Sequence, residues 1–531
     1  MMTKRNAVIE EIRNTQLYDV IVIGGGASGI GAAVEACLRG YKTLLLEKHD
    51  FTKGTSSKST KLIHGGVRYM AQGDLKMVRE ALKERGILLR NAPHLVHDQP
   101  FIIPNYRWWE GAFYTIGLKF YDLLAGRFSL GRSVHLGKDS VLEKLPGISP
   151  EKLRGGVLYH DGQFDDSRLA MDLLHVLNKK GGTALNYAEV LALEKKEDIV
   201  SGVVFRDNYE NRQFAVRAKA VLNATGVWVD EVMKMDQPGH RKTIRPSQGV
   251  HLVLKKDFLR GDHALMIPKT SDGRVLFAVP WHDHLVVGTT DTPIHVSSAE
   301  PVALEEEIRF ILDTASAYLE REVKRSDVLS VFAGLRPLAA PKDGSSKTKE
   351  ISRNHKIMIS KSKLITIIGG KWTTYRKMAE EMVDTAIQSG LLEPSSSLTK
   401  QFALLETSGQ MKKERSLPEN TPADQPFHLY GAHGSEISAI AEKDQEKMAF
   451  IHPDLPYRWA EVEWICKNEM VLHLEDLLAR RLRALLLNAR ATSDIAEEVA
   501  ERSAPWLGWT PEQANAEVVA FRELAKNYIL K

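Results

Sequence analysis

The stretch DVIVIGGGASGIGAAVEACLRGYKTLLLEK, residues 19–48, decides the fold class of this chain. It contains an apolar run, a glycine-rich turn, a helical pattern and a second apolar run, in the order of a βαβ unit. The turn carries three glycines at the G-x-G-x-x-G spacing, Gly24, Gly26 and Gly29. Such glycines permit a tight turn, a close approach of backbone to a pyrophosphate and close packing of the helix. Because the first N–H groups of that helix would face the anion, the stretch predicts a dinucleotide-binding unit.

Glu47, at the end of the second apolar run, strengthens this interpretation. It lies eighteen residues beyond Gly29, where a carboxylate can accept hydrogen bonds from ribose hydroxyls. A glycine-rich turn could serve packing alone, but that explanation leaves the acid without a role. The fingerprint does not separate NAD from FAD. The predicted cofactor contacts in this region are Gly24, Gly26, Ala27, Ser28, Gly29, Glu47 and Lys48.

The rest of the chain shows parallel and antiparallel patterns in turn. Apolar runs at 220–223 and 364–368 extend the strand and helix pattern and predict an α/β fold with a parallel sheet. Short alternating segments between 182 and 223 predict an antiparallel meander. The segment 274–291 predicts a hairpin in a second, mostly antiparallel domain.

The composition is that of an ordinary soluble globular protein, with 531 residues of which 43% are hydrophobic and 26% charged. The net charge of only +4 gives no support for nucleic-acid binding. Cys37 and Cys466 lie far apart with no CxxC, which argues against a disulfide framework or a cysteine metal site and favours a reducing compartment. The first 17 residues lack the apolar region of a secretory signal, and glycines and acids within 18–38 argue against a membrane span there.

Further motifs follow the fingerprint along the chain. They are DFTKGTSSKSTKLIHGGVRYM at 50–70, VLNATGVWVD at 221–230, GTTDTP at 288–293, GLRP at 334–337 and IIGGKWTTYRKMAEE at 367–381. In this order they resemble the FAD-dependent glycerol-3-phosphate dehydrogenase family, strongly over residues 18–390 and more loosely in the tail. D-amino-acid and sarcosine oxidases are similar in the early part, but the pair TSS…STKLIHGGVRY and GGKWTTYR distinguishes the family. The resemblance implies FAD as cofactor and glycerol 3-phosphate as substrate.

The resemblance also sharpens the predicted fold. It implies a Rossmann-like FAD/NAD(P)-binding domain of the glutathione-reductase/D-amino-acid-oxidase type, interleaved with an antiparallel-sheet substrate domain and followed by a helical domain. In the tail, LHLEDLLARRLRALLLNA at 472–489 predicts an amphipathic helix. The predicted domains are an N-terminal extension (1–17), a discontinuous FAD-binding domain (18–90, 150–245 and 330–390), a substrate-binding domain (91–149 and 246–329), a linker (391–426) and a C-terminal helical domain (427–531).

A second helix start is predicted to face the flavin. In LITIIGGKWTTYRKMAEEM, residues 364–382, a strand leads into two glycines and a helix, whose N-terminus would stabilise negative charge on a reduced flavin. An ordinary capped helix is the alternative. The polar loop after the second strand and the strand end at 224–226 are further contact regions by resemblance. The predicted contacts at this end are Thr55, Ser56, Ser57, Lys61, His64, Gly65, Ala224, Thr225, Gly226, Gly369, Gly370, Lys371, Thr373 and Thr374.

The substrate chemistry requires a base and an anion clamp. Flavin oxidation of a secondary alcohol removes the hydroxyl proton and transfers the carbon-bound hydrogen as hydride to N5, and a phosphate favours Arg and Lys. The residues that match family positions are Arg68, Tyr69, His251, Thr290, Arg336, Arg353 and Lys371.

Within this set, Arg336 and Arg353 are assigned to the phosphate, and Arg68 and Lys371 to the region of the reacting hydroxyl. The predicted catalytic residues are His251, His64, Arg68 and Lys371. His251 is favoured as the base and His64 as a residue that orients the flavin, although a buried structural histidine is the alternative for each. His282 and His284 in WHDH are interpreted as exposed loop residues, so no metal is predicted.

The electron acceptor is less constrained by the sequence. No second G-x-G-x-x-G is followed by its acid, so a nicotinamide partner is unsupported. The resemblance implies a membrane quinone; the alternatives are a soluble glycerol-3-phosphate oxidase that uses dioxygen and gives hydrogen peroxide, and a non-catalytic flavin-binding module. Aromatic and basic residues at 105–133 suit a membrane surface or, equally, one side of a core helix. We predict a cytoplasmic protein, peripheral at the inner face of the cell membrane, with the oligomeric state open, a homodimer included.

Overall fold

Two β-sheets organise this computed structural model, which describes residues 2–67, 70, 73–270, 273–340, 355–404 and 426–531. The strands in chain order are β1 (Tyr18–Ile23), β2 (Thr43–Leu46), β3 (Leu62–Ile63), β4 (His97–Asn105), β5 (Val134–Gly137), β6 (Gly155–Gln163), β7 (Thr183–Leu185), β8 (Ala188–Lys196), β9 (Ile199–Asp207), β10 (Arg212–Asn223), β11 (Ile244–Lys255), β12 (Ala264–Ile267), β13 (Leu276–Trp281), β14 (His284–Gly288), β15 (Thr292–Pro293), β16 (Ser330–Ala339), β17 (Lys356–Ile359) and β18 (Ile365–Ile368).

Helices cover both sheets and form the C-terminal region. The helices in chain order are α1 (Met2–Asn14), α2 (Ala27–Leu38), α3 (Leu75–Asn91), α4 (Glu110–Ala125), α5 (Lys138–Lys144), α6 (Asp166–Lys179), α7 (Val229–Asp236), α8 (Glu305–Tyr318), α9 (Tyr375–Gln388), α10 (Gly434–Lys443), α11 (Trp459–Asn468), α12 (Ala484–Leu487), α13 (Ala489–Asp494), α14 (Ala496–Leu507) and α15 (Pro511–Ala525). Among the described residues, no helix combines the length and apolar character needed to cross a membrane.

The first sheet has a parallel centre, as its apolar runs predict. Its strands lie in the order β17-β18-β10-β1-β2-β7, and β1 is parallel to both β10 and β2. The strands β8, β9 and the first half of β10 form the predicted antiparallel meander. Helices α2 and α9 pack side by side over this sheet, where Gly31 faces the ring of Tyr375 closely. The predicted α/β class is therefore confirmed, and the turn after β1 lies at the carboxyl edge of the parallel strands.

The second sheet is mostly antiparallel and is built from separated parts of the chain. The predicted hairpin is confirmed as β13 and β14, with Val279 opposite Val286. Strands β3, β6 and β16 fall in ranges predicted for the cofactor domain, yet they hydrogen-bond into this sheet. β16 pairs with β11 from Ile244 to Val253, which places Phe332 opposite His251. The chain thus crosses between the two sheets several times.

The C-terminal region is helical, but the predicted amphipathic helix at 472–489 is wrong. A single π-helical turn, Asp476–Arg481, is followed by Arg483 in the left-handed region at φ +68° and by the short helices α12 and α13. Arg480, Arg481 and Arg483 are at most 2% exposed, because carboxylates of the N-terminal half form ion pairs with them. Buried ion pairing therefore overrides the periodic pattern that suggested a solvated basic face.

The predicted linker, residues 391–426, is packed where the structure describes it. Leu404 is buried, and the hydroxyl of Thr399 donates a hydrogen bond to Glu35 on α2. Residues 405–425 lie outside the described part of the chain. The described part of this segment thus lies against the first sheet's helices.

Candidate functional site

A cavity of about 490 Å³ is lined by residues of both sheets. One end lies at the turn after β1 and the end of β2, and the other at the turn after β18 and the strands β11 and β16. Most of the predicted cofactor contacts are in its wall. They are Gly24, Gly26, Ala27, Ser28, Glu47, Lys48, Thr55, Ser56, His64, Ala224, Thr225, Gly226, Gly369, Gly370, Lys371 and Thr373.

The glycines of the first turn have the geometry that the fingerprint requires. Gly24 has φ +108°, and a Cβ placed there would lie 2.7 Å from the carbonyl oxygen of Ala224. A Cβ at Gly29 would lie 1.8 Å from the carbonyl oxygen of Gly24, so the helix can begin only because this residue has no side chain. Gly29 does not itself line the cavity. At Gly26 a Cβ would approach only the Ser56 hydroxyl, at 3.0 Å, which leaves the backbone open toward the cavity.

Glu47 lies beside this turn with room to accept further hydrogen bonds. Its carboxylate accepts the N–H of Gly25 at 2.6 Å and that of His49 at 2.8 Å. Burial raises its pKa, against the effect of these two hydrogen bonds. A carboxylate has about four lone-pair sites, so ribose hydroxyls could still donate to it. Lys48 next to it forms an ion pair with Glu189 at 2.8 Å.

The end of the first sheet supplies a second turn without side chains. Gly369 and Gly370 have φ +74° and +101°, and a Cβ at Gly370 would lie 2.1 Å from the Met378 methyl group. A 3₁₀ turn follows and leads into α9, so the predicted helix start faces the cavity. The hydroxyl of Thr373 accepts the N–H of His64 at 3.2 Å. This bond joins the two polar loops that form the flavin end of the predicted site.

Four further predicted cofactor contacts do not line the cavity. Ser57 and Lys61 face away from it, and Lys61 forms an ion pair with Asp166 at 2.7 Å in a fully buried position. Burial, and then the neighbouring Arg483, lower the pKa of Lys61 to about 7. Gly65 and Thr374 also lie behind the wall, Gly65 against Tyr121 and Thr374 against the Met378 sulfur at 3.5 Å.

His251 lies in the cavity wall on β11, with its ring almost fully buried. It stacks on Phe332 with ring centres 4.9 Å apart, and its Nε2 is 2.9 Å from the hydroxyl of Thr60. Burial, then the charges of Arg336 and Lys61, hold its pKa well below the usual value, so the ring is neutral near pH 7. A neutral imidazole can accept a proton, which is the state that a general base requires.

Arg336 and Lys371 lie in the same cavity as His251. Arg336 donates to the carbonyl of Thr290 at 2.9 Å and to the hydroxyl of Thr289 at 3.0 Å, which fixes the guanidinium at the wall. Lys371 follows β18, and its amino group is 3.5 Å from the Met77 sulfur. The cavity thus combines a neutral imidazole with two cationic side chains.

Thr290 has a different place from the one predicted. Its hydroxyl accepts the N–H of Val250 at 3.0 Å and donates to Glu307 at 2.8 Å, and the residue does not line the cavity. The neighbouring Thr289 is in the wall instead. Arg68, Tyr69 and Arg353 lie outside the described residues.

Several residues of the wall were not predicted from the sequence, and two of them, Thr60 and Asp161, make polar contacts that bear on the site. Thr60 touches His251, and Asp161 on β6 carries an ion pair with the buried Arg85 at 2.6 Å. Thr60 belongs to the polar loop of the 50–70 motif, so its hydroxyl, one residue before Lys61, could have been predicted as a site group. No sequence feature indicated Asp161, because it lies about 100 residues along the chain from that loop and belongs to no quoted motif.

The interpretation of His282 and His284 as exposed loop residues is wrong, because His284 is buried at the start of β14 and the side chain of His282 is largely buried beside Asp165. His282 lies 3.3 Å from a carboxylate oxygen of Asp165, and His284 contacts the carbonyl of His282. Within the described ranges, no group of three or more His, Cys, Asp or Glu is placed to hold a metal ion.

Comparisons with known proteins agree with this geometry. A family model described as FAD dependent oxidoreductase matches residues 19–376, and one described as the C-terminal domain of alpha-glycerophosphate oxidase matches residues 360–514. A mitochondrial glycerol-3-phosphate dehydrogenase of Bos taurus is 39% identical over 98% of this chain and 74% of the relative. One of Arabidopsis thaliana is 38% identical over 96% of this chain and 86% of the relative.

A solved structure supports the same assignment over the whole chain. The glycerol-3-phosphate dehydrogenase of Bacillus halodurans, complexed with FAD, has a TM-score of 0.79 and 30% identity and covers 99% of this chain and 98% of its own. The glycine cradle, the two helix starts and the acid at the end of β2 fit the same cofactor, FAD. By these matches and this site, the chain belongs to the FAD-dependent glycerol-3-phosphate dehydrogenase family.

Proposed function

We propose that this protein oxidises sn-glycerol 3-phosphate to dihydroxyacetone phosphate and passes the electrons to a membrane quinone. The single observation that carries the oxidation is the presence of His251, Arg336 and Lys371 in the cavity whose wall includes the dinucleotide turn. FAD, when bound, supplies the hydride acceptor at N5. The names of the Bos taurus and Bacillus halodurans relatives agree with this substrate.

His251 is the proposed general base. Its pKa is held below the usual value by burial and by two cations, so it is ready to take the C2 hydroxyl proton at neutral pH. The same cations would oppose a permanent charge on the ring. Release of the proton after each turnover would therefore be favourable.

Arg336 is the proposed phosphate ligand. Its guanidinium is fixed by the carbonyl of Thr290 and the hydroxyl of Thr289, and its planar fork can present parallel N–H donors to a phosphate. Lys371 would act as a point charge near the reacting hydroxyl, and its position just before the start of α9 adds to the positive potential there. Arg68, Tyr69 and Arg353 complete the proposed set by family position.

The proposed acceptor and membrane contact rest on α4. Its outer face exposes large apolar side chains, with Phe113 62%, Ile116 72% and Leu123 73% exposed, and Trp108 just before the helix is 84% exposed. On its inner face the hydroxyl of Tyr121 donates to Asp161 in the cavity wall at 2.9 Å. An apolar face of this kind suits a membrane surface, and the helix that carries it also touches the site. This supports a cytoplasmic protein, peripheral at the inner face of the membrane.

Anaerobic bleaching of the bound flavin tests the substrate. Addition of glycerol 3-phosphate is expected to remove the absorbance of oxidised flavin, whereas glycerol, lactate and D-amino acids are expected to leave it. Bleaching by glycerol at the same rate would contradict the phosphate clamp, and a flavin that stays oxidised with every compound would favour a non-catalytic binding module.

Two further measurements test the acceptor and the membrane. Reoxidation by a quinone without peroxide is expected; stoichiometric hydrogen peroxide would favour the oxidase. Flotation with anionic lipid vesicles is expected to be lost in Ile116→Glu and retained in Val519→Glu, a matched control because Val519 is also 70% exposed. Equal flotation of both variants would overturn the role of α4.

A further inference from the structure

The polar loop between β2 and β3 forms part of the cavity wall. On the side away from the cavity it is hydrogen-bonded to a buried group of charged side chains. The front of the loop presents Ser56, Ser59 and Thr60 to the cavity. On the other side, the carbonyl of Ser57 accepts from Lys61 at 2.8 Å and from Arg483 at 2.5 Å. This one carbonyl therefore joins the loop to a side chain from the C-terminal region.

Asp166 is the centre of the buried group. One of its carboxylate oxygens accepts from Lys61 at 2.7 Å and from the Ser59 hydroxyl at 2.7 Å, and the other accepts from Arg483 at 3.0 Å. Lys61, Asp166 and Arg483 are each at most 1% exposed. Such a group is stable only while each member keeps its partners, because an unpaired buried charge is costly.

Arg483 reaches this group because the C-terminal chain is broken at that residue. Its backbone adopts the left-handed region at φ +68°, between the π-helical turn and α12. One guanidinium nitrogen also donates to the carbonyl of Ala479 at 3.0 Å, which fixes the direction of the side chain. The break in the predicted amphipathic helix is thus the feature that brings this arginine to the loop.

The loop touches His251 directly. Thr60, the residue before Lys61, lies with its hydroxyl 2.9 Å from His251 Nε2. The Lys61 amino group is 5.4 Å from the centre of the Phe332 ring, on which His251 stacks. His251 Nδ1 is buried and has no hydrogen-bond partner among the described residues. The Thr60 contact is therefore the side-chain hydrogen bond that restrains the rotation of the imidazole ring.

We propose that Arg483 is a positioning residue for the oxidation site: it holds the 57–61 segment so that Thr60 sets the orientation of His251. The inference rests on the proposed role of His251 as the base. It gives the C-terminal region a function in the reaction, because Arg483 is hydrogen-bonded to the loop that contacts His251. A shift of about 1 Å in a reacting group can lower a rate about 100-fold, so small movements of the loop matter.

A double-mutant cycle on the FAD-loaded enzyme tests this inference. Thr60→Val and Arg483→Lys are each expected to lower the rate constant of anaerobic flavin reduction about 10- to 100-fold, with KM little changed. If Arg483 acts through Thr60, the double variant is no slower than the slower single variant. Multiplied effects would show independent roles and overturn the inference, as would an Arg483→Lys protein that folds without retaining FAD.

A second measurement does not depend on turnover. Nitrogen NMR of histidine-labelled enzyme without substrate reports the tautomer of His251, whose signal is assigned by its loss in His251→Gln. Thr60→Val and Arg483→Lys are expected to change this signal in the same way. An unchanged signal in Arg483→Lys would overturn the inference.

The controls separate this inference from the proposed function. Arg480→Lys changes an arginine that is equally buried but pairs with Asp50 and Asp476, and flavin reduction is expected to stay at the wild-type rate. If Arg483→Lys does not fold, Ser59→Ala replaces it in the cycle, because the Ser59 hydroxyl also links the loop to Asp166, through a single hydrogen bond. A wild-type rate in His251→Gln would refute the base assignment, whereas multiplied effects beside a slow His251→Gln refute only the positioning role.

Discussion

Replacement of His251 by glutamine tests the proposed base. The amide has a similar reach but cannot accept the substrate proton, so only the proton-transfer step is removed. General base catalysis contributes about 100- to 10,000-fold, and the rate constant of flavin reduction should therefore fall by that factor. This corresponds to about 2.7–5.4 kcal/mol, since each tenfold change is about 1.36 kcal/mol. KM should change little, because the phosphate ligand proposed, Arg336, is kept.

The pH dependence gives the prediction a sign. The pKa of His251 lies well below its usual value, through burial and then the charges of Arg336 and Lys61. The ring is unprotonated above that lowered pKa, so the rate of flavin reduction should stay constant as pH falls through about 6.5, the pKa of an ordinary histidine. It should decrease only in more acidic solution, when the ring gains a proton.

Anaerobic stopped-flow absorbance of the oxidised flavin measures both quantities. His284→Gln is the matched control, because His284 is also buried, on the neighbouring strand β14, and does not line the cavity. Its rate should equal that of the wild type. A His251→Gln rate within a factor of about two of the wild type would refute the assignment, and so would an acid limb centred on about pH 6.5.

Three other perturbations follow from the site and its surroundings. Gly370→Ala should lower the FAD content of the purified protein, because the new Cβ would lie 2.1 Å from the Met378 methyl at φ +101°; a full FAD content by absorbance would contradict this. Arg336→Leu should raise KM for glycerol 3-phosphate about 10- to 100-fold, because a hydrogen bond to a charged group contributes about that factor to binding. An unchanged KM in steady-state kinetics would show that Arg336 does not bind the phosphate. Arg168, working against burial, lowers the pKa of Glu469 to about 2. This pair therefore contributes stability above about pH 4.5 that is lost as pH falls toward about 2, so calorimetry should find the stability difference between wild type and Glu469→Gln shrinking over that range, and a constant difference would contradict it.

The dinucleotide end could be predicted because its constraints are local. The steric demands at Gly24 and Gly29 act between residues of one turn and the strand beside it, and the spacing of the glycines expresses them directly. Glu47 follows at a distance fixed by the length of one helix and one strand. Such features depend on a short stretch of chain, and Gly24, Gly26 and Glu47 lie in the cavity wall where the motif predicts them.

The substrate end and the tail depend on contacts that sequence spacing does not express. Lys61 resembled a cofactor ligand because it stands in the right loop, but Asp166 attracts its amino group to the other side. The basic residues of 472–489 resembled a solvated helix face, but Asp50 and Asp166 lie more than 300 residues earlier and bury them. The spacing of apolar residues indicates which positions are buried only when the packing partner is apolar. Basic residues that pack on buried carboxylates are therefore wrongly predicted to face solvent.

The cations of the cavity wall differ in how their charges are balanced by carboxylates. Lys53 and Lys58 also lie in its wall, but both form ion pairs with Glu300 at 2.7 Å, and their charges, against the effect of burial, lower its pKa. Lys61 is likewise compensated by Asp166 behind the wall. A cation whose charge is balanced by a carboxylate nearby attracts a second anion weakly, because the two fields cancel within a few ångströms. Arg336 also has a carboxylate nearby, since its Nη1 is 3.7 Å from an oxygen of Asp291. Its proposed role therefore rests on the planar fork that Thr289 and Thr290 fix at the wall, which can present parallel N–H donors to a phosphate.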